Sequence, residues 1–321
     1  MRKFGCFGMV VAAALAIGAL VLFRWYGPGP AEKEITVVIK GGSSLTAAAR
    51  QLEEAGAIGS ADSFLTFAKV LGDDAPIHSG EYRVPAGLSA SEVLEMLQSG
   101  KTLQRFVTIP EGMPSILVHE KLMKEPLLTG SVAVPREGSV LPDSYSFERG
   151  ESRAAVLRRM QAAMDRTLAE LWKTRKPGIA VSTPAEAIIL ASIVEKETGL
   201  PSERRTVASV YTNRLKQGIR LQADPTTIYP VTKGKPLGRR ILRSELEAAN
   251  GYNTYAIAGL PVGPIANPGR QSIAAVLDPA QTSYLYFVAD GKGGHVFAAT
   301  LAQHNDNVRK WYAIRRERGE M

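Results

Sequence analysis

Two glutamates separated by one residue, Glu195 and Glu197, close a stretch from Ala185 to Val194 that is almost continuously apolar. On a helix, residues two apart point in very different directions, so the pair does not share one task. Leu190, Ile193 and Val194 lie seven, four and three residues before Glu197 and place it on an apolar stripe. Ile188, Ala191 and Ser192 stand in the same relation to Glu195, on a smaller and more polar face. Gly199 and Pro201 end the helix, so Glu197 falls in its last turn, where the helix carries partial negative charge. That field and partial desolvation both disfavour a carboxylate and raise its pKa. A carboxyl kept protonated near neutral pH is what a general acid needs to protonate a glycosidic oxygen. The plainer alternative is that both glutamates are solvated charges paired with Lys196 or Arg204.

Glycoside hydrolysis normally uses two carboxylates, and Asp224 in Leu221-Gln-Ala-Asp-Pro-Thr-Thr-Ile-Tyr229 is the best second one, although Asp before Pro is also an ordinary turn-former. The stretch from Leu221 to Gly269 is rich in Gly, Pro, Asn, Tyr and Thr and reads as a long irregular segment. Sugars are held by such sets, rings against apolar faces and amides to hydroxyls, and long ordered loops tend to be functional. The candidates for holding a sugar are Gln222, Asp224, Thr226, Tyr252, Asn253, Thr254, Tyr255 and Asn267. Other chemistries find no support. His78, His119, His295 and His304 show no metal-ligand spacing and read as surface or capping residues. Asp290-Gly-Lys-Gly-Gly294 fits neither phosphate-binding pattern and reads as a hairpin turn, and no serine sits in a nucleophile elbow. No metal or cofactor is expected.

The elements that must position these residues follow from caps and periodicity. Ile35–Lys40 has the β-branched content of a strand. Ser43 or Ser44 caps a helix to about Ala55, Ser60 caps another through Leu71, and residues 81–84 return as a strand. Ser89 with Glu92 forms a capping box for a helix ending near Gly100, and residues 106–109 are a further strand. This order gives a small α+β module over residues 35–110. Ser152 opens a long helix whose Leu157, Met160, Met164, Leu168 and Leu171 share one face. Thr183, Pro184 and Glu186 start the helix that carries the two glutamates. Ser202 caps the next one, which ends near Gly218. Residues 284–289 and 296–298 form a hairpin, and a last helix begins near Leu301.

Upstream, Phe4–Phe23 is a run of 20 uncharged residues. At about 1.5 Å per residue a helix over it spans a hydrocarbon core of about 30 Å. The run lacks the small-x-small exit of a cleaved signal, so it reads as a retained anchor over residues 1–26, with Trp25 and Tyr26 at an aromatic belt. Arg2 and Lys3 before the span and Arg24 and Lys33 after it leave orientation open. Gly27-Pro28-Gly29-Pro30 reads as a stiff spacer, residues 27–34. The chain has 45% hydrophobic and 22% charged residues, enough for a real core, and a net charge of +8 from 39 basic and 31 acidic residues. The basic residues are scattered, with no block interleaved with aromatics, so no nucleic-acid partner is expected. The single cysteine, Cys6, lies in the apolar run and leaves the body without a disulfide or thiol nucleophile.

Long segments resemble the YceG-like endolytic murein transglycosylases: Ala191-Ser-Ile-Val-Glu-Lys-Glu-Thr198, Val207-Ala-Ser-Val-Tyr-Thr-Asn-Arg-Leu215, Leu221-Gln-Ala-Asp-Pro-Thr226, Tyr252-Asn-Thr-Tyr255, Gly259-Leu-Pro-Val-Gly-Pro-Ile-Ala-Asn-Pro-Gly269 and Tyr284-Leu-Tyr-Phe-Val-Ala-Asp-Gly-Lys-Gly-Gly-His295. Pro110-Glu-Gly112 and Glu137-Gly-Ser-Val-Leu-Pro-Asp-Ser-Tyr145 also look like that family, with Val140 and Ser144 where aromatic or Thr residues are usual. The likeness covers residues 35 to about 315. It implies an α+β protein with an N-terminal membrane helix, a small LysM-like β-α-α-β module and a larger mixed α/β catalytic domain over residues 111–321. It also implies a single-pass inner-membrane protein with a periplasmic body that cuts nascent peptidoglycan glycan strands between N-acetylmuramic acid and N-acetylglucosamine and so limits strand elongation, beside peptidoglycan synthases. In this family the second glutamate of the Glu-Lys-Glu set is catalytic, which maps to Glu197. One carboxyl then suffices, because the muramyl C6 hydroxyl attacks C1 internally and leaves a 1,6-anhydro end. The competing readings are a glycoside hydrolase using Glu197 with Asp224, and a membrane-tethered glycan-binding protein without catalysis.

Overall fold

The computed structural model describes residues 2–320; Met1 and Met321 lie outside the described residues, as do the side chains of residues 2–8, Arg2, Lys3 and Cys6 among them. The protein is mixed α/β with small sheets and divides into two compact units, one of residues 1–105 with 146–150 and one of residues 106–145 with 151–321.

The first unit begins with α1 (Arg2–Tyr26). Its window Met9–Tyr26 has a mean hydropathy of 2.0, and among the described residues it is the one helix long and apolar enough to cross a membrane. Met9, Leu15, Ile17 and Leu20 point outward, as such a helix requires. Its end departs from the expectation of an aromatic belt. Trp25 is only 1% exposed, its ring 5.9 Å from that of Phe64 and 6.4 Å from that of Phe67, whereas Tyr26 is exposed. An indole has more to gain from these two aromatic neighbours than from an interface, so Trp25 joins the core of the unit.

That core lies under β1 (Ile35–Ile39), α2 (Leu45–Glu54), α3 (Ala61–Leu71), β2 (Gly80–Val84) and α4 (Ala90–Ser99). β1 and β2 are antiparallel, with Val37 opposite Tyr82. Alternation sends Val37, Ile39, Tyr82 and Val84 inward to meet Leu52, Phe64 and Leu97. Ser44, Ser60 and Ser89 cap the three helices, the last in a full capping box with Glu92. The Gly-Pro segment, read as a stiff spacer, is hydrogen-bonded to this unit: the Gly29 amide donates to the Gly87 carbonyl, and the Gly87 amide donates to the Ala31 carbonyl.

The second unit begins within β3 (Arg105–Thr108). It contains α5 (Ser115–Lys124), α6 (Arg153–Lys173), α7 (Pro184–Glu197), α8 (Arg204–Lys216), α9 (Asp224–Thr232), α10 (Arg243–Glu247), α11 (Arg270–Leu277), β5 (Tyr286–Ala289), β6 (His295–Ala298) and α12 (Leu301–Glu317), while β4 (Ser144–Phe147) sits where the chain crosses between units. The sequence does not announce α5, because its cap position is Pro114, which offers no side-chain acceptor. At its other end the buried Arg153 guanidinium donates to the carbonyls of Leu122 and Met123 in the last turn and to those of Glu125 and Gly130 beyond it.

α7 is the axis of this unit. Ala187, Ile188, Leu190, Ala191, Ile193 and Val194 are all buried, and α6, α8 and α11 pack around it. The difference in polarity between the Glu195 and Glu197 stripes therefore disappears, since both are covered. Leu157, Met160 and Met164 of α6 are buried as their spacing requires. Two expectations are corrected. α8 is not capped by Ser202; Glu203 stands at the cap without capping, and its carboxylate accepts from the His295 amide and Nδ1, both at 2.8 Å, fixing the β5–β6 hairpin. The segment from Leu221 to Gly269 is not wholly irregular either. Pro225 fits the first turn of α9, and the Thr226 and Thr227 hydroxyls bond back to the carbonyls of Ala223 and Asp224, so residues that favour turns here close a helix start.

Candidate active site

In the second unit a cavity of about 290 Å³ opens beside the last turn of α7. Glu197 forms part of its wall. Tyr211 and Arg214, three apart and therefore on one face of α8, form the next part. Gln222 and Asp224 enter from the start of α9, Tyr255 from the following loop, Tyr286 and Phe287 from β5, and His304 from α12. A second cavity, of about 370 Å³, lies in the first unit between the end of α1 and α3. Its lining carries no carboxylate, so acid–base chemistry belongs to the smaller one.

The electrostatics single out Glu197. Burial pushes its carboxyl up to about 7, a hydrogen bond from the Tyr211 hydroxyl holds it back, and the nearby Asp224 charge adds to the rise. Tyr211 is itself buried among apolar side chains, which holds its phenol far above the ordinary value and keeps it a donor. Glu197 is thus a carboxyl poised between its acid and base forms near neutral pH. Desolvation does this, more than the helix end on which the sequence argument also leaned.

Arg214 builds the floor. Its Nε donates to the Leu285 carbonyl at 2.7 Å, and its Nη1 donates to the carbonyls of Arg220 and Leu221 and to Gln222 Oε1 at 3.2 Å. One buried side chain thereby joins α8, the approach to α9 and the approach to β5. Gln222 has φ +53, a left-handed backbone rare for a residue with a Cβ, held by its amide's bond to Thr254 O. Arg214 also lies 5.1 Å from the Tyr286 ring centroid, and His304 stacks on that ring at 5.2 Å.

Of the residues picked from sequence, the structure brings Gln222, Asp224 and Tyr255 into the cavity with Glu197. The Tyr255 hydroxyl donates to Asp224 Oδ1 at 2.6 Å. The others lie elsewhere, and their polar atoms hold the fold. Thr226 and Thr254 are fully buried, their hydroxyls 2.8 Å apart. Asn253 donates to the carbonyls of Glu245, Leu246 and Ala248. Asn267 donates to Met113 O and Ser115 Oγ and accepts from the Val140 amide. The Tyr252 ring packs on Tyr229 at 4.9 Å, against the core. Sequence reasoning missed Tyr211, Arg214, Tyr286, Phe287 and His304 as cavity residues. The i, i+3 spacing of Tyr211 and Arg214 was the one available signal, and His304 reaches the cavity only through tertiary packing.

Glu195 has a different task from its neighbour, and it is not solvated. Its side chain is 5% exposed, its Oε2 accepts from the Gly269 amide at 2.8 Å, and its Oε1 lies 3.5 Å from Arg204. Arg204 in turn donates to Glu111 and Gln271. Gly269 stands at the N-cap of α11, and a Cβ there would lie 2.0 Å from a Glu111 oxygen, so the Glu111 side chain would have to shift to admit one. Glu195→Ala is therefore expected to cost about 2–3 kcal/mol in urea unfolding, by leaving the buried Gly269 amide unmet and removing one of the partners of the Arg204 cation.

The sequence profile of the YceG-like family matches residues 37–310. The endolytic murein transglycosylase of Bacillus subtilis (strain 168) is 29% identical, over 95% of this chain and 93% of that protein. The endolytic murein transglycosylase of Streptococcus pneumoniae serotype 2 (strain D39 / NCTC 7466) is 27% identical over 86% of this chain, which spans 58% of that longer protein. Among solved structures, a yceG-like protein from Listeria monocytogenes superposes with a TM-score of 0.54 and 28% identity, covering 86% of this chain and 99% of that one.

Proposed function

The chain belongs to the YceG-like family, and on that premise we propose that it is an endolytic murein transglycosylase whose acid and base are one residue, Glu197. The observation that carries this reading is a single carboxyl, raised to about 7, facing a cavity wide enough for a sugar ring. In its neutral form Glu197 gives its proton to the oxygen linking N-acetylmuramic acid to the next residue, and the C1–O bond breaks with its electron pair going to that oxygen. The carboxylate left behind then takes the proton of the muramyl C6 hydroxyl as that oxygen attacks C1. The strand ends in a 1,6-anhydro ring, no water is consumed, and the nucleophile's high effective concentration comes from its being part of the substrate. No cofactor enters.

The apolar α1 serves as anchor, with the catalytic unit outside the cytoplasm where murein is; for a cell with two membranes this is the inner membrane and the periplasm. The β-α-α-β order of residues 35–84, with its antiparallel strand pair, supports reading the first unit as a LysM-like module. Tethered at the membrane, the enzyme meets strands as synthases extend them and limits their length.

The reading is tested by incubating the full chain in detergent with purified glycan strands across a pH series. Interior cleavage gives fragments of intermediate length, whereas release of single disaccharides from strand ends argues against it. Because the first step needs the protonated carboxyl, kcat/KM is expected to fall about tenfold per pH unit once pH exceeds about 7. A rate still rising through pH 9 contradicts an acid at Glu197.

A further inference from the structure

The cavity of about 370 Å³ in the first unit takes no part in the chemistry at Glu197. One wall is a face of α3: Ser60, Ser63, Phe64 and Phe67 follow the i, i+3, i+4, i+7 spacing that brings side chains together. Phe23 and Arg24, in the last turns of α1, form the opposite wall, and residues 27–30 close one side. The joint between the walls is fixed. The Trp25 ring lies 5.9 Å from that of Phe64 and 6.4 Å from that of Phe67, and the Gly29 amide is bonded to the Gly87 carbonyl. The space beside α1 is therefore part of the packed unit.

Its height, charge and polarity together describe a ligand. The window Met9–Tyr26 covers about 27 Å at 1.5 Å per residue, close to the thickness of a hydrocarbon core, so Arg24 and the cavity stand at the level of lipid headgroups. Arg24 is exposed and has no hydrogen-bonding or ionic partner among the described residues, and no carboxylate joins it in the lining. Ser60 Oγ accepts the Ser63 amide at 3.3 Å, which leaves its proton to donate, and Ser63 adds a second hydroxyl. Beside these polar groups are aromatic rings, with Phe23 65% exposed. A guanidinium with two hydroxyls suits the oxygens of a phosphodiester, and the rings suit the first methylenes of an acyl chain. Resting on the reading of α1 as the anchor, we infer that this cavity seats one anionic phospholipid. Its phosphate lies on Arg24, Ser60 and Ser63, and its acyl chains run along α1 past Phe23. A helix of another protein laid in the same place would instead bury Arg24 without a counter-charge, which is costly.

The test uses the full chain in detergent, supplied with phosphatidylglycerol or with diacylglycerol of the same acyl chains. Native mass spectrometry reads the lipid that stays bound as detergent is stripped away. The variants are Arg24→Gln, Ser63→Phe, which fills the cavity, and Lys33→Gln, which removes an exposed cation outside the cavity, each checked by thermal melting. The wild type is expected to keep a single phosphatidylglycerol and little diacylglycerol. Arg24→Gln should lower that occupancy about tenfold, the effect of losing a charge-assisted bond, and Ser63→Phe should abolish it. Lys33→Gln should change it by less than about twofold. Equal losses in Arg24→Gln and Lys33→Gln overturn the inference, because general surface charge would then hold the lipid. Equal retention of diacylglycerol overturns it as well, and so does a wild type that keeps no lipid or keeps a copurified protein in its place. Displacement of phosphatidylglycerol by inorganic phosphate would assign the cavity to a free oxyanion, again against a lipid. Arg24 is exposed, so Arg24→Gln decides the matter even where Ser63→Phe fails to fold. Resistance of the wild type to alkaline extraction from membranes judges the anchor separately.

Discussion

Glu197→Gln is expected to give a folded protein whose glycan cleavage is lower by roughly 10³-fold or more, with binding of strands retained. The amide keeps the shape of the carboxyl and an acceptor for Tyr211, but it has no proton to give and no capacity to take one. The same variant carries a stability signature. A carboxyl at 4.5 in the unfolded chain and about 7 in the fold binds its proton more tightly when folded. It therefore costs nothing below pH 4.5, and stability is lost as pH rises from there to about 7. Above that the loss is constant, on the order of 3 kcal/mol. Glu197→Gln removes it, so the variant should match the wild type near pH 4 and exceed it in stability at pH 8. An unchanged difference across the pH series would mean that Glu197 is not held neutral.

The second large effect concerns Asn267, which a sugar-binding reading would place in contact with glycan. Its Oδ1 is the partner of the Val140 amide at 3.0 Å, and its Nδ2 reaches Met113 O at 2.9 Å and Ser115 Oγ at 3.0 Å. All of this is buried, so Asn267→Ala leaves a cavity and an unmet amide. The expected cost is about 3 kcal/mol, which for a unit of this size lowers Tm by roughly 6–12 °C. At a temperature where the variant stays folded, KM for glycan should be close to normal. A raised KM with unchanged Tm would return Asn267 to the substrate.

Much of the fold is legible from caps and periodicity, because these are local. Ser44, Ser60, Ser89, Ser152 and Thr183 start helices where expected, as short-range hydrogen bonds decide those boundaries. α5 and α9 escape because one starts on a proline without a capping side chain and the other is built from Thr and Pro. The candidate site is legible only at its two acidic residues and at Gln222 and Tyr255. What local reasoning lacks is the ability to tell a buried clasp from a binding group. Asn253 and Asn267 have the composition of a sugar site, yet the amide of Asn253 is spent on nearby backbone carbonyls and that of Asn267 on groups over a hundred residues away. The roles of Glu195 and Glu197 show the same limit: both faces of α7 are buried, and it is Arg204 and the Gly269 amide against one, and Tyr211 and an open cavity against the other, that separate them.

The most direct measurement is mass spectrometry of the new muramyl ends produced by the full-length protein on purified glycan strands in water enriched in oxygen-18. If Glu197 is both the acid and the base and the C6 hydroxyl closes on C1, every new end is lighter than a reducing end by one water and carries no heavy oxygen. Reducing ends bearing the label would contradict this and assign the chemistry to hydrolysis.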